Sequence, residues 1–520
     1  MWGFYLPYRP FCCQGESWDG PEGGRPKKTL QLTASMAECG ETGNTPLPLI
    51  SRDSGIFFRP CRRSPAMTAS PPPTTPRAAA VEILCLWATT HNSVDILFQA
   101  AVERLADLDR GLVKTLVYGV LRQKEYLDHI LRSFAKHPLR KMKPRTLMTL
   151  RVGIYQLLFL SRIPESAAVN ATVNTLKEAG QPPWLIGFVN GILRAVARSR
   201  ATLPTADQLA AAEPPLLNHP AWLLECWQAR FGPETARAIC RINNTEPPLS
   251  LRVNARRTSR TMMLEALTKT GIAARKGLYS PAGLIIDAFP GAIASLPGYE
   301  EGHFQVQDEA AQLASLLAGP LPSGCRVLDG CAGLGGKTSH LAEMLPPDGA
   351  IVAVEPDPRR YRLLRDNLRR LGHGKAVLPV RTDLRSYAAG RPQPFDVILI
   401  DAPCSGTGVI RRQPDIRWNR QPEDLATYQQ AQVHLLEIAA TLLKPGGILL
   451  YATCSLEPEE NQEAVRLFLE RCPRFSPESA APYLPESARR LVYPSGFFSP
   501  SPADGLDGFF AARLIDGRNL

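Results

Sequence analysis

Two cysteines and one aspartate stand where side chains can do chemistry. Residues 397–408 read Val-Ile-Leu-Ile-Asp-Ala-Pro-Cys-Ser-Gly-Thr-Gly. The apolar run predicts a buried strand. Asp401 follows at the strand's end, and Pro403, with its fixed φ and no N–H, forces a turn that carries Cys404. Gly406 and Gly408 predict a backbone that a ligand can approach closely. Residues 446–455 read Gly-Gly-Ile-Leu-Leu-Tyr-Ala-Thr-Cys-Ser, so Cys454 closes a second strand in the same way. If the two strands are neighbours, two thiols and a carboxylate converge at the carboxyl end of an open sheet, where such sheets bind ligands. The competing reading is a turn capped by Asp401, with both thiols as small buried hydrophobes.

A thiolate is a strong nucleophile. Cytosine is inert at carbon 5 until something adds across its 5,6 double bond. Thiolate addition at carbon 6, with an acid donating to ring nitrogen 3, makes carbon 5 able to accept a methyl group. A base then removes the carbon-5 proton and the thiol leaves. This chemistry needs one cysteine, one carboxyl group, a methyl donor and a second group for release. Asp401, Cys404 and Cys454 supply the residue types, and spacing does not rank the two thiols.

A loop suited to the methyl donor lies upstream. Residues 329–338 read Asp-Gly-Cys-Ala-Gly-Leu-Gly-Gly-Lys-Thr. A dinucleotide fold wants a third glycine where Thr338 stands, and a P-loop wants one where Cys331 stands. S-adenosylmethionine carries no phosphates and needs only close approach of the loop. Glu355, closing the run Ile-Val-Ala-Val-Glu, can accept hydrogen bonds from ribose hydroxyls. Asp383, at the end of the next strand, is within expectation of the adenine amino group. Helix capping is the alternative for both carboxylates.

The elements that must position these groups alternate from Arg326 onward as strand and helix. Strands are expected at 326–329, 351–355, 376–380, 397–400 and 448–453, with helices at 359–371, 423–443 and 459–471. Glu459 and Glu460 suit the positive start of the last helix. The pattern predicts an α/β doubly wound, Rossmann-like domain over 325–520, with 508–515 as an edge strand. Residues 206–324 read as a small α+β linker module, with a helix at 219–231, strands at 249–254 and 284–286, and a helix at 261–270. Residues 76–205 show helical spacing throughout, and their breakers separate five to seven helices of a bundle. Residues 1–75 show no sustained period and end in Ser-Pro-Pro-Pro-Thr-Thr-Pro, a stiff linker. They read as a disordered extension or a start codon placed too early, with Met67 as the alternative start.

The 520 residues carry a net charge of +11, are 44% hydrophobic and 21% charged, and include 12 cysteines. That balance predicts sizeable cores and an acidic partner, of which nucleic acid is the commonest. The basic run Lys136, Arg140, Lys141, Lys143 and Arg145 is the candidate RNA contact. Apolar runs are too short to span a bilayer, no C-x-x-C pair suggests zinc, and scattered cysteines suit a cytoplasmic location. Nothing demands a dimer, so a monomer is expected.

With these motifs in view, the sequence resembles the RNA cytosine-5 methyltransferases, specifically the bacterial 16S ribosomal RNA enzymes of the RsmB (Sun, Fmu) type. The resemblance rests on Asp401-Ala-Pro-Cys404, Tyr451-Ala-Thr-Cys454-Ser455, Gly408-Val-Ile-Arg-Arg-Gln-Pro-Asp-Ile-Arg-Trp418 and Asp507-Gly-Phe-Phe510. It extends to Gly153-Ile-Tyr-Gln-Leu-Leu158, Ser161-Arg-Ile-Pro164 and Val189-Asn-Gly-Ile-Leu-Arg194, in a bundle similar to the RNA-binding NusB factor. It implies that Cys454 is the nucleophile and Cys404 the release residue, which leaves Asp401 as the carboxyl group that the chemistry requires. It implies cofactor contacts from Cys331, Ala332, Gly333, Leu334, Gly335, Gly336, Lys337, Glu355, Asp383 and Asp401. Where the family usually has Ala-Pro in this loop, the chain has Gly333-Leu334, which predicts a looser loop. Two rivals remain, a transfer RNA methyltransferase and a non-catalytic RNA-binding assembly factor.

Overall fold

Helices form after the proline linker because apolar residues recur every three or four positions and the breakers fall between them. A computed structural model describes residues 75–518, apart from 103, 104, 106 and 290. Of the extension expected over residues 1–75, all but Thr75 lies outside the described residues. Thr75 caps the first helix, its Oγ1 accepting from the N–H of Ala78 at 3.3 Å. The bundle comprises α1 (Pro76–Thr90), α2 (Val94–Val102), α3 (Asp107–Arg122), α4 (Lys124–Phe134), α5 (Pro144–Phe159), α6 (Glu165–Glu178) and α7 (Pro183–Ser199). Pro144 and Pro183 stand at the first helical position, where a missing N–H is no loss. Leu116, Leu127, Leu150, Ile154, Val189 and Leu193 share one core. Gly153 lets α5 approach its neighbours, since a β-carbon there would lie 2.6 Å from Leu193 and 3.2 Å from Thr172.

The linker module is a four-stranded antiparallel sheet of order β2-β3-β1-β4, from β1 (Leu249–Val253), β2 (Ala274–Lys276), β3 (Gly283–Ile286) and β4 (Phe304–Val306). The helix Arg260–Lys269 covers it with Met263 and Leu267. The helix Glu309–Leu316, also within the stretch read as this module, packs Ala310, Leu313 and Ala314 into the core of the following domain.

The last domain is a seven-stranded sheet of order β10-β11-β9-β8-β5-β6-β7. Its strands are β5 (Arg326–Asp329), β6 (Ala350–Val354), β7 (Val377–Val380), β8 (Phe395–Asp401), β9 (Leu443–Thr453), β10 (Phe475–Glu478) and β11 (Phe510–Asp516). β5 to β9 run parallel, and the order reverses between β5 and β8. That reversal opens a crevice at the carboxyl ends of the strands.

Two sequence expectations are corrected here. The stretch 508–515 is not an edge strand. β11 lies between β9 and β10, pairing with both antiparallel, and β10 holds the edge. Phe510, Ala511, Ala512 and Leu514 are all buried, as a strand covered on both faces requires. The helix expected over 459–471 is a 3-10 turn at Pro458–Glu460 followed by a helix at Gln462–Arg471. Glu460 does not serve the helix's start but turns inward to the turns that carry the thiols.

The arm between β8 and the helix Pro422–Thr441 ties the three parts together. Arg417, fully buried, donates to the carbonyls of Asn218 and Asn243 at 2.8 and 2.9 Å and to Asn244 Oδ1 at 2.6 Å. Trp418 donates to the Leu121 carbonyl at 2.8 Å, and Asn419 Oδ1 accepts from Trp87 at 3.0 Å. Arg412 bridges Asp507 at 2.5 Å and Asp308 at 2.7 Å.

Candidate active site

Strand ends deliver the reactive groups. β8 and β9 pair in register with Asp401 opposite Ala452, so the chain leaves both strands side by side. Pro403 and the turn after it bring Cys404 Sγ to 3.3 Å from Cys454 Sγ. The bond from Cys404 lowers the Cys454 thiol below its ordinary value, and Lys337 adds to this against burial and Asp401. The same bond, then burial, raises the Cys404 thiol well above its ordinary value. Of the two thiols, Cys454 is therefore the more readily ionised.

Both turns are fastened from beneath by one buried carboxylate. Glu460 Oε1 accepts from the Ser405 N–H at 2.7 Å and from Gln432 Nε2 at 3.0 Å. Its Oε2 accepts from Ser455 Oγ at 2.5 Å and from Ser405 Oγ. Ser405 follows Cys404 and Ser455 follows Cys454, so Glu460 links the two turns. Burial raises its carboxyl above the ordinary range, against these hydrogen bonds. Asn461 adds a bond from its Nδ2 to the Ser455 carbonyl at 3.0 Å.

Asp401 does not stand alone. Lys337 Nζ donates to its Oδ2 at 2.7 Å and lies 4.8 Å from the Phe509 ring centre. The sequence reading grouped Lys337 with the cofactor loop, whereas its side chain points to the carboxylate beside the thiols.

The glycine loop follows β5. Asp329 Oδ2 accepts from Thr338 Oγ1 at 2.6 Å, and burial pushes its carboxyl up to about 6. Cys331 is turned into the apolar core, where burial raises its thiol well above the ordinary value. The Ala332 N–H is spent on the Val354 carbonyl at 3.0 Å. Gly333 has a φ of +55°, a conformation a β-carbon disfavours, so glycine suits this position. Leu334 presents its carbonyl to Asn367 Nδ2 at 3.0 Å. Gly335 has a φ of +84°, and a β-carbon there would lie 2.6 Å from Leu364. The Gly336 carbonyl accepts from Arg252 at 2.6 Å. Glu355 accepts from the N–H groups of Gly333 at 3.0 Å and Asp357 at 2.8 Å. The loop is thus anchored without the family's proline. Asp383 caps the helix Leu384–Ala389, accepting from Ser386 N and Oγ, both at 2.8 Å.

Of the two glycines after Cys404, Gly408 departs from expectation. Gly408 is approached by the protein's own backbone. Gly508 N donates to its carbonyl at 2.8 Å, and a β-carbon on Gly408 would lie 2.1 Å from the Gly508 carbonyl oxygen. Sequence reasoning also missed Glu460, Arg252 and the trio Arg412, Asp308 and Asp507. Arg252 lies on β1 of the linker module and reaches across to Gly336, Ser339 Oγ at 2.8 Å and Glu343 at 2.9 Å. The quoted motif around Asp507 and Arg412 was the one available signal for that trio. Among the described residues no His, Cys, Asp and Glu cluster could hold a metal ion, and no helix is long and apolar enough to cross a membrane.

A Rossmann-like sheet with a thiol pair and a glycine loop at its switch point, behind a helical bundle, defines an RNA methyltransferase architecture. Family models match in the same places: 16S rRNA methyltransferase RsmB/F over residues 320–515, the NusB family over 74–198, and an RsmF/B-like ferredoxin-like domain over 219–291. The chain is 34% identical over 453 residues to the probable ribosomal RNA small subunit methyltransferase B of Bacillus subtilis, covering 85% of this chain and 98% of that one. It is 37% identical over 443 residues to ribosomal RNA small subunit methyltransferase B of Pseudomonas syringae, covering 85% and 96%. Among solved structures, PH0851 aligns with a TM-score of 0.69 and 26% identity, over 85% of this chain and 99% of that one. NSun6 from Pyrococcus horikoshii shares the fold at 22% identity, with a TM-score of 0.50 over 58% and 99%.

The chain belongs to the RsmB/F family of ribosomal RNA methyltransferases. It is an RNA methyltransferase that uses S-adenosylmethionine. Its residues fit that cofactor, because a β-carbon position on Gly333 looks onto open space. Each Glu355 oxygen accepts one backbone hydrogen bond, and a carboxylate oxygen has room for another.

Proposed function

We propose that the protein methylates carbon 5 of a cytosine in the small-subunit (16S) ribosomal RNA through a covalent bond to Cys454. The observation that carries this reading is the 3.3 Å thiol pair beside the Lys337–Asp401 pair. Cys454, favoured as thiolate, adds to carbon 6. Asp401 takes a proton from the Lys337 ammonium that it contacts and passes it to ring nitrogen 3, so the electron pair moves to carbon 5. S-adenosylmethionine, when bound, supplies an electrophilic methyl group for that carbon. Cys404 then acts after transfer. With Cys454 alkylated, Cys404 gives its own proton to solvent and as thiolate takes the carbon-5 proton; the carbon–sulfur bond breaks, Cys454 leaves as thiolate, and the proton on nitrogen 3 returns to Asp401. Glu460 holds both thiol-bearing turns through these steps.

The cofactor contacts follow the loop. Gly333, Leu334, Gly335 and Gly336 offer backbone, Glu355 the ribose acceptor, Asp383 an acceptor for the adenine amino group, and Asp401 the methionine end. Cys331 and Ala332 shape the loop from behind. The names of the family and of the relatives support the small-subunit target. The same reading makes the enzyme a cytoplasmic monomer.

Bisulfite sequencing of total RNA, from cells with and without the gene, tests the assignment. One small-subunit cytosine should resist conversion only when the gene is present. An unchanged small-subunit pattern contradicts the proposal, and a change confined to transfer RNA would support the rival substrate.

A further inference from the structure

The bundle exposes an aromatic ring that no catalytic role accounts for. Trp184 is 73% exposed on the first turn of α7, directly after Pro182 and Pro183. A tryptophan normally buries most of its large apolar surface, so leaving one in water on a rigid turn is unusual.

The segments that reach the same end of the bundle are largely cationic. Gly153 in α5 meets Leu193 of α7 and Thr172 of α6, which sets these three helices at one level. α5, α6 and α7 are joined by short connections and run alternately, so α5 and α7 start at the same end of the bundle. Both starts lie about two and a half turns, roughly 13 Å, from that level. The connection from α4 enters α5 at this end. It carries Lys136, Arg140, Lys141 and Lys143, all exposed, and no carboxylate. Arg145, the last of the sequence-level basic run, is instead paired with Glu82 at 2.6 Å. Lys177 and a single acid, Glu178, stand where α6 reaches the same end.

We propose that Trp184 is a stacking platform for an unpaired base of the RNA substrate, whose phosphates are held by the Lys136–Lys143 connection. This rests on RNA as the partner. An exposed ring beside a cationic track is how single strands are held, because every base has a face to stack and every nucleotide a phosphate to pair. The charge of this end favours RNA over a protein surface as the occupant.

The test uses the full chain carrying Cys454→Ala, in which no methyl transfer is expected, so binding is read apart from chemistry. Affinity for a short labelled single-stranded RNA and for a duplex of equal length is measured by anisotropy at several salt concentrations. Trp184→Ala and Trp184→Leu should weaken single-strand binding roughly 5- to 100-fold, with little change in salt slope or in duplex binding. Trp184→Phe should recover most of the loss. Neutralising Lys141 and Lys143 should instead lower the slope by about 0.7 per lost contact. Thermal melting checks that the fold is intact. Unchanged single-strand affinity in Trp184→Ala, or equal recovery by Leu and Phe, overturns the proposal and leaves the ring to a protein partner.

Discussion

Cys404 Sγ and Cys454 Sγ lie 3.3 Å apart, at the ends of two adjacent parallel strands. That one contact gives the two thiols different states before any substrate arrives. The thiol proposed to attack carbon 6, Cys454, is the one held below its ordinary value. The other keeps a proton and lies close enough to act on the same base.

Glu460 is predicted to set this contact. Glu460→Ala removes the acceptor of Ser405 N, Ser405 Oγ and Ser455 Oγ. Each buried donor left unsatisfied costs roughly 1–3 kcal/mol. Melting temperature should fall, and kcat should fall more than KM rises. Glu460→Gln keeps one acceptor oxygen and should recover part of both. Retention of full activity by the alanine variant would show that the turns hold themselves.

Lys337→Met is expected to slow methyl transfer by about 100-fold or more, the range for loss of a positioned proton-handling group. Cofactor affinity, followed by calorimetry, should change far less. A variant that loses cofactor binding but not the rate at saturation would return Lys337 to the cofactor loop alone.

Glu457 gives a pH signature. It is buried, accepts from Trp227 Nε1 at 3.1 Å, and burial pushes its carboxyl up to about 7. The folded state therefore holds a proton that the unfolded chain releases near 4.5. Stability from this group falls as pH rises through that window and stays low above it. Glu457→Gln keeps an acceptor for Trp227 and does not titrate. Its stability advantage, followed by melting temperature, should grow from pH 4.5 to 7 and then level off, at no more than about 3–4 kcal/mol. A variant whose gain is the same at pH 5 and pH 8 would contradict this.

Arg412→Met should destabilise the junction by about 3–5 kcal/mol, because Asp308 and Asp507 would remain buried without their cation. The loss, measured by denaturant unfolding, should shrink below pH 6 as Asp507, whose carboxyl burial pushes up to about 6, becomes neutral. A loss under about 0.5 kcal/mol, typical of a surface change, would refute the role.

The sequence made the strand ends legible because continuous apolar runs stop abruptly at Asp401, Cys404 and Cys454. Parallel strands that end alike must present their last residues together. Glu460 and Arg252 were not legible, because a charged residue reads alike whether solvated or buried, and only tertiary packing turns it inward. The edge assignment of 508–515 failed for a related reason. The run Phe-Phe-Ala-Ala-Arg-Leu-Ile is nearly continuous and apolar, which is the mark of a strand covered on both faces, yet its position near the chain end suggested an edge. Asp383 shows the opposite limit, since a cap and a ligand contact want the same residue at the same place.

Cys454 is proposed to attack carbon 6 and Cys404 to release the product. The direct measurement is a denaturing gel of variants incubated with substrate RNA and S-adenosylmethionine. Cys404→Ala should form a covalent protein–RNA band, because the bond to carbon 6 forms but the adduct does not collapse. The target base leaves its stack to reach the thiols, so the trapped nucleotide should be a flipped cytosine. Cys454→Ala and the double variant should give no band while still binding cofactor, and Asp401→Asn should slow the band's appearance. A band from Cys454→Ala with none from Cys404→Ala would reverse the two roles and contradict the account.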